Sequence, residues 1–253
     1  MLKLDTRYIK RASHIIAVSQ NTKSDLMKYL NIPENKISVI YNGVDHNIFK
    51  PYQPYDLRPH HTILRTLHHK PYILYVGSER RRKNLGRLFE AFARLKGEFP
   101  QLKLVKIGGP GRSEQFRSDT LKRLSALGIT EDVIFVEHIS EVDLAYYYSS
   151  AALLAYPSLY EGFGLPLLEA MACGCPVVSS NTSSLPEVVS EAGIMVNPYR
   201  TRRLAQAMRQ VLTDKQLRDK MVRRGLEQST KFSWERTAGL TLDVYNKVAR
   251  GQD

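Results

Sequence analysis

The chain of 253 residues has room for one large domain, or for one domain and part of another. Its composition, 43% hydrophobic and 25% charged, is that of an ordinary soluble globular protein, and no apolar run approaches the length of a membrane span. The formal net charge of +12 favours an anionic partner, and the candidate classes are nucleotide diphosphates, anionic lipid headgroups and nucleic acid.

The first fifty residues predict a short alternation of strands and helices. We expect a buried strand over Ile15–Ser19 and a second strand over Lys36–Tyr41. Between them, Asn21 or Thr22 is suited to cap a helix that runs to about Leu30. Two strands alone do not bury both faces of a parallel sheet, so this segment is predicted to belong to a larger unit.

Residues 51–70 are predicted to be a linker, because three prolines interrupt them and no apolar period is present. The segment carries four histidines, which raise the alternative of a metal site: His60, His61, His68 and His69. The linker interpretation is favoured, because Cys or carboxylate ligands at metal spacing do not accompany the histidines. A D-x-D metal motif is also missing from the sequence, so we expect no metal ion.

A strand is predicted over Pro71–Gly77, followed by a loop with four consecutive cations, Arg80 to Lys83. The apolar residues of the next predicted helix, Leu85–Lys96, stand three and four positions apart, as an amphipathic helix requires. Cations at the carboxyl end of a strand face the crevice in which α/β sheets bind ligands. The alternative is a basic loop that is simply solvated.

The rest of the chain continues the alternation, which predicts an α/β fold with a parallel sheet. The turn Gly108-Gly109-Pro110-Gly111 is tight but is not a G-x-G-x-x-G fingerprint. Ser140 is suited to cap a helix with Asp143 at its third position, and His138 is weighed as an acid–base residue but not favoured. The further predicted strands are 102–107, 133–136, 151–156, 176–179 and 193–198, and the further helices are 116–127, 201–213, 215–229 and one that opens at 232–235.

The segment Ser158–Gly174 lies between two of these strands and carries the motif with the clearest chemistry. Pro166 suits the first position of a short helix, and Gly174 suits its left-handed stop. Gly162 and Gly164 lack a Cβ atom, so a ligand can approach the backbone closely. The start of the helix that follows them is a ready site for phosphate.

Two carboxylates, Glu161 and Glu169, stand in this segment with seven residues between them. Beside a bound phosphate they would repel it, unless they accept hydrogen bonds from nearby hydroxyls such as those of a sugar and a ribose. The alternative is structural, with Glu169 in a surface pair and Glu161 capping the helix.

The run EGFGLPLLEAMACG, residues 161–174, resembles the E-x7-E signature of the retaining glycosyltransferases of GT-B architecture. The resemblance implies that Glu161 contacts the donor sugar and that Glu169 holds the ribose of the nucleotide. It also implies that the backbone of the intervening loop meets the diphosphate and the sugar, through Gly162, Phe163, Gly164 and Leu165.

A second stretch, from Gly77 through the cationic loop, resembles the phosphate clamp of the same family, VG…RKN. In that resemblance, Lys83 and Arg82 stabilise the diphosphate. Many members carry Arg directly after the glycine, where this chain has Ser78. Either Arg80 or Arg82 then supplies the second cation, or the clamp is weaker.

The resemblance covers essentially the whole chain and implies how it is divided. It places the turn at Gly108 near the nucleotide and the backbone of Ile139 against the base. The implied units are residues 1–50, the C-terminal remnant of an N-terminal, acceptor-binding Rossmann domain with the hinge; 51–70, a linker; 71–232, the nucleotide-sugar-binding Rossmann domain; and 233–253, a helix that packs back toward the N-terminal domain.

The activity implied is transfer of a hexose, with mannose as first candidate, from a GDP- or UDP-linked donor to an acceptor hydroxyl, with retention of the anomeric configuration. No cofactor is expected. The partners would be the nucleotide sugar, a sugar or lipid-linked acceptor, and a missing N-terminal domain or partner chain. Cys173 and Cys175 predict buried thiols in a reducing cytosol, the polar start Met1–Asp5 is unlike a signal peptide, and the basic charge is compatible with contact at a membrane surface.

Two other functions are weighed against this one. The chain is alternatively a nucleotide-sugar-binding module that is inactive without a separately encoded acceptor domain. A basic nucleic-acid binder is disfavoured, because no recognition motif or aromatic stacking platform accompanies the positive charge.

Overall fold

The computed structural model describes residues 6–52, 67, 71–111, 113–137 and 139–251. Within these ranges the strands are β1 (Ile15–Ala17), β2 (Ile37–Val39), β3 (Tyr72–Val76), β4 (Lys103–Ile107), β5 (Val133–Val136), β6 (Leu153–Tyr156), β7 (Val177–Ser180) and β8 (Ile194–Val196). The α-helices are α1 (Thr6–Arg11), α2 (Gln20–Leu30), α3 (Leu85–Lys96), α4 (Gln115–Ala126), α5 (Glu141–Ser150), α6 (Leu165–Ala172), α7 (Leu185–Val189), α8 (Thr201–Thr213), α9 (Lys215–Ser229) and α10 (Trp234–Ala249).

Strands β3 to β8 form one parallel sheet in the order β5-β4-β3-β6-β7-β8. The direction in which strands are added reverses between β3 and β6, which is the topological switch point where open α/β sheets bind ligands. The predicted α/β class is therefore confirmed, and the fold itself indicates where to look for the site.

Both faces of this sheet are covered, because successive residues of each strand enter two different cores. On β3, Leu74 packs in a core with Tyr148 and Leu168, whereas its neighbour Ile73 packs in the opposite core with Phe89. Burial of each large apolar side chain stabilises the fold by roughly 1.5–3 kcal/mol.

The helices of this larger part were predicted closely. Helix α3 has the predicted bounds, and all five residues of its apolar stripe are buried: Leu85, Leu88, Phe89, Phe92 and Leu95. Helices α8 and α9 also begin and end where the sequence predicted. Ser140 caps α5 as expected, since its hydroxyl accepts a hydrogen bond from the amide of Asp143 at 3.1 Å.

Two helix starts differ from the prediction. Helix α6 begins at Leu165, so Pro166 takes its second position and not its first. Helix α2 begins at Gln20, and its cap is Ser19, whose hydroxyl accepts from the Thr22 amide at 3.0 Å. The predicted caps Asn21 and Thr22 therefore lie inside the helix, because it begins two or three residues before the predicted start.

The N-terminal segment forms a separate parallel pair of strands, β1 and β2, against which α2 packs. Its own core is small and holds three buried residues, Ala17, Ile32 and Ile37. Helix α10 lies against the end of this segment, where Thr237 donates its hydroxyl hydrogen to the carbonyl of Tyr41 at 2.8 Å. A Cβ on Gly43 would lie 2.2 Å from the amide nitrogen of Trp234, so only glycine fits where the two elements meet.

Helix α10 is the longest helix of the described ranges, yet none of its sixteen residues is buried. Its apolar residues at helical spacing are Leu240, which is 40% exposed, and Val244 and Val248, which are half-buried. Leu242 and Tyr245, outside this stripe, are more exposed still. The stripe is therefore only partly covered.

Neither a membrane-spanning helix nor a metal-ligand cluster occurs in the described part of the chain. The four histidines of the predicted linker lie outside the described residues, and so does His138.

Candidate functional site

The site lies at the carboxyl ends of β3 and β6, where two loops and the start of α6 meet. Glu161, in the loop after β6, lies between two cations of the loop after β3. Its Oε1 atom is 2.6 Å from the Nζ of Lys83, and its Oε2 atom is 2.6 Å from Nη1 of Arg82. The same arginine donates a hydrogen bond to the carbonyl of Tyr160 at 2.9 Å. The structure thus brings together the three residues that were predicted to be catalytic.

Lys83 is 8% exposed, so the basic loop is not simply solvated at this residue. Its ammonium donates to the hydroxyl of Tyr156 at 2.8 Å, and that hydroxyl lies 3.2 Å from Oε1 of Glu161. Burial lowers the pKa of Lys83, and the neighbouring carboxylate opposes that shift. Burial alone would raise the pKa of Glu161, but Lys83, and then Arg82, hold it below its ordinary value.

Two serines that the sequence reasoning missed fix the backbone around Glu161. Its amide donates to the Ser183 hydroxyl at 3.0 Å, and the Ser184 hydroxyl donates to its carbonyl at 2.9 Å. Ser184 also lies 2.7 Å from the carbonyl of Phe163. The sequence signal was the run of small hydroxyl residues after β7, which can satisfy an irregular loop backbone.

Within the described residues, Glu169 does not form the surface pair that the structural alternative proposed. Its Oε2 atom accepts a hydrogen bond from the hydroxyl of Tyr148 at 2.8 Å, in a half-buried position on α6. Burial raises the pKa of Glu169 to about 7, and the charge of Glu141 adds to the shift. Nor does Glu161 cap α6, because Gly164 occupies that position.

The loop between the two carboxylates approaches the start of α6 through Gly164, which has a φ of 120°. A Cβ there would also lie 3.0 Å from Leu185, so this position suits glycine alone. Gly162 is exposed, and a Cβ there would make only an ordinary contact of 3.8 Å with Val18. Phe163 and Gly164 are buried, with the ring of Phe163 beside Tyr41. Leu165 is the first residue of α6.

Two further predicted glycines pack on each other at the ends of β3 and β4. A Cβ on Gly108 would lie 2.9 Å from the carbonyl of Gly77, and both have positive φ angles, 111° and 149°. Ser78 follows, and its carbonyl accepts from the hydroxyl of Tyr75 at 3.0 Å. Between the two arginines proposed as the second cation, Arg82 is the one at Glu161. Arg80 lies toward Gly111, whose added Cβ would be 3.4 Å from its Cγ.

A buried charge network, which the sequence analysis did not predict, joins the ends of β3, β4 and β5. The Nζ of Lys106 lies 2.9 Å from Oε1 of Glu79, and both side chains are fully buried. Arg117 of α4 contacts the same Glu79 oxygen at 2.7 Å and an oxygen of Glu137 at 2.8 Å. Ile139, the predicted base contact, is half-buried two residues after Glu137. The signal was Lys106 between apolar residues near the end of a predicted buried strand, since a buried cation requires a partner.

Chemically, the site offers two cations, a carboxylate and the free amides at a helix start within one crevice. Cations and amides suit an anion such as a diphosphate, while Glu161 and Glu169 suit the hydroxyl groups attached to it.

The sequence profile of the glycosyl transferases group 1 matches residues 59–228, which is well over half of the chain. The chain belongs to this family. A second profile, that of Glycosyltransferase Family 4, matches residues 1–48.

Several known proteins are similar over almost the whole of this chain. O-antigen chain mannosyltransferase B of Escherichia coli is 34% identical over 251 residues, which cover 94% of this chain and 64% of that protein. A D-inositol 3-phosphate glycosyltransferase of Nocardioides sp. is 30% identical, with 96% of this chain and 56% of that protein covered. The group 1 chain described here therefore spans less than two thirds of the length of these relatives.

Solved structures agree with the fold. Sucrose-phosphate synthase from Thermosynechococcus elongatus superposes with a TM-score of 0.84 at 28% identity, covering 98% of this chain and 61% of that one. Anabaena HepE, solved in complex with UDP-glucose, superposes with a TM-score of 0.86 at 21% identity, covering 96% and 66%.

Proposed function

We propose that the chain is the donor-binding part of a retaining glycosyltransferase, which transfers a hexose from a nucleotide diphosphate sugar to an acceptor hydroxyl. The observation that carries this proposal is the position of Glu161, between Lys83 and Arg82 and next to the start of α6. Mannose is the sugar we favour, because O-antigen chain mannosyltransferase B and the WbdA mannosyltransferases of Escherichia coli are among the similar proteins. GDP and UDP are the candidate nucleotides.

In this proposal the charges of the site act on the leaving group. The diphosphate lies at the start of α6, and Lys83 and Arg82 stabilise the negative charge that grows on it when the glycosidic bond breaks. The acceptor hydroxyl attacks on the same face, and the departing phosphate takes its proton, so the anomeric configuration is retained. Glu161 orients the donor sugar and stabilises positive charge on it, while Glu169 accepts hydrogen bonds from the ribose.

The backbone of the site has the remaining roles. Amides of Gly162, Phe163, Gly164 and Leu165 face the diphosphate and the sugar. Gly77, Ser78 and Gly108 line the nucleotide side, and the backbone of Ile139 contacts the base. HepE, which shares this fold, is solved in complex with UDP-glucose, which supports a nucleotide sugar as the ligand of this chain.

We also propose where the acceptor binds. A sugar or lipid-linked acceptor would bind a further N-terminal domain or partner chain, of which residues 1–50 form the end, and the basic charge suits a membrane surface with anionic lipids.

The test is calorimetric titration with GDP, UDP and ADP and with their sugar conjugates. We expect one nucleotide to bind selectively, and its sugar conjugate to bind with further contacts to Glu161. The Glu161→Ala variant should lose affinity for the sugar conjugate but keep that for the bare nucleotide. The Glu191→Ala variant is the matched control, because this carboxylate is exposed and pairs with Arg224, which is not a residue of the site. Equal losses for both ligands in Glu161→Ala, or no binding by the wild type, would contradict the proposal.

A second candidate is a nucleotide-sugar-binding module that is inactive by itself. It is favoured by the length of the relatives, of which this chain spans 64% or less in the examples above. Sugar transfer to an added acceptor distinguishes the two: selective binding without turnover, restored by a separately produced acceptor domain, supports the module.

A further inference from the structure

The loop that carries Glu161 is fastened to the N-terminal segment, and one carboxylate makes most of that connection. Glu187, on α7, accepts hydrogen bonds from the amides of Gln20 and Asn21 at 2.7 and 2.8 Å. It also accepts one from the hydroxyl of Tyr41 at 3.0 Å. These amides belong to the first turn of α2, where a carboxylate satisfies free N–H groups and complements the helix dipole.

The same short segment contacts the Glu161 loop on its other side. Ser183 and Ser184 bond the amide and the carbonyl of Glu161, and the amide of Glu187 donates to the carbonyl of Ser184 at 3.1 Å. Ser184, which holds the loop, is therefore three residues from the carboxylate that holds α2, and a backbone hydrogen bond joins the two residues.

A second contact runs directly from the loop to α2. The hydroxyl of Tyr160, the residue before Glu161, donates to the carboxylate of Asp25 and accepts from the side-chain amide of Asn21 at 3.4 Å. The hydroxyl of Thr22 reaches the carbonyl of Gly162 at 3.3 Å. The residues on both sides of Glu161 thus contact α2.

The aromatic rings packed around Tyr41 hold its hydroxyl in the direction of Glu187. Tyr41 packs between the rings of Phe163 and Phe232, with centroids 5.9 and 5.7 Å away, so its hydroxyl is directed by packing. Burial, followed by the hydrogen bond and charge of Glu187, raises the pKa of Tyr41 to about 12, which keeps this hydroxyl a donor at neutral pH.

We propose that Glu187 is a positioning residue for the sugar end of the donor, which sets the position of Glu161 by fastening its loop to α2. The inference rests on the proposed function for its ligand, a nucleotide sugar. Lys83, which would bind the diphosphate, lies in the loop after β3 and not in the loop that is fastened to α2, so we expect Glu187 to affect the sugar end of the donor more than the diphosphate end. Tyr160 is the second positioning residue of the same arrangement.

The experiment compares the affinity for a bare nucleotide diphosphate with that for its hexose conjugate, in the full chain and by calorimetry. In Glu187→Ala we expect a loss of roughly tenfold for the conjugate and a change of less than about twofold for the bare nucleotide. Tyr160→Phe should show the same selectivity with a smaller loss, and Glu187→Asp should recover part of it. Glu191→Ala, four residues away on an exposed carboxylate, should change neither affinity.

A second measurement does not depend on any ligand. Hydrogen–deuterium exchange should become faster in residues 158–164 and in the first turn of α2 when Glu187 is changed to Gln, with the rest of the large sheet unchanged. Unchanged exchange in residues 158–164 would overturn the inference, whatever the ligands do. Equal losses for both ligands, in variants that remain folded, would overturn it as well, since they would indicate a general structural role. A wild-type chain that binds no nucleotide sugar, with the exchange result as expected, would instead refute the proposed function and leave the fastening of the loop established.

Discussion

The large sheet and the N-terminal segment with α10 are built from similar sequence patterns but reach different degrees of burial. In the large sheet, an amphipathic helix such as α3 buries its whole apolar stripe, and each face of the sheet has its own core. Helix α10 has a stripe of the same kind, yet none of its residues is buried, and the small core beside the β1–β2 pair holds three buried residues. The difference teaches that an amphipathic pattern states what a helix is able to cover, whereas burial depends on how much partner surface the chain supplies.

The largest expected effect is on the free energy of unfolding, when a core residue of the large sheet is replaced. Phe89→Ala should lower the free energy of unfolding by about 3–5 kcal/mol, because a fully enclosed ring is replaced by a cavity. Leu242→Ala in α10 should change it by less than about 0.5 kcal/mol, since this side chain is 58% exposed. Denaturant unfolding of both variants measures the two values. Similar losses of unfolding free energy in the two variants would contradict the comparison, because they would show that α10 packs in a core.

The next largest effect is expected on the affinity for a nucleotide diphosphate. Lys83→Ala should weaken nucleotide diphosphate binding roughly 10- to 100-fold, because it removes a buried, charge-assisted partner of the ligand. Lys215→Ala is the matched control, since that lysine is 79% exposed and pairs only with a residue of its own helix turn. Calorimetry on the two variants and the wild type provides the comparison. Wild-type affinity in Lys83→Ala would remove this residue from the site.

A smaller effect comes from the pH dependence of Glu169. The ionised carboxylate is a stronger acceptor for the ribose hydroxyls than the protonated carboxyl, and burial raises the pKa of this group to about 7. Nucleotide affinity should therefore rise about tenfold between pH 6 and pH 8, and nucleotide binding should release a proton. Glu169→Gln should bind more weakly and lose this dependence. A flat pH profile in the wild type would contradict a direct contact with the ribose.

The same group makes a prediction for stability, with the opposite sign. Because the folded-state pKa of Glu169 lies above its ordinary 4.5, the carboxyl contributes stability below that pH, and the contribution is lost as pH rises through about 7. At pH 8, Glu169→Gln should thus unfold with a free energy higher by roughly 1–3 kcal/mol. Thermal unfolding at pH 5 and pH 8 measures the difference, and a variant destabilised equally at both values would show that Tyr148 binds the amide poorly.

Local patterns predicted most of the large sheet. The stripe of α3 and the bounds of α8 and α9 follow from a period of 3.6 residues, which needs no knowledge of distant contacts. The helix starts were less predictable. Ser19 caps α2 before the apolar pattern begins, because a cap depends on backbone geometry rather than on periodicity.

The site was predicted in part for the same reason. Glu161, Lys83 and Arg82 stand next to strand ends, and the carboxyl ends of parallel strands meet at one edge. Ser184 and Glu187 were missed as partners, because their contacts with the Glu161 loop and with α2 join residues far apart in the sequence. Lys106 could have been noticed as a cation between the apolar residues of a buried strand, but the sequence does not say that Glu79 is its partner.

The contact between Tyr41 and Thr237 spans 196 residues of chain and has a consequence for synthesis on the ribosome. Strands β1 and β2 are translated before the six-stranded sheet, and the helix that lies against their end is translated after it. The six-stranded sheet can assemble in the interval, since all of its strands precede α10 in the chain. The N-terminal segment therefore remains without this neighbour until α10 has left the ribosome, whereas its contacts with Glu187 can form earlier.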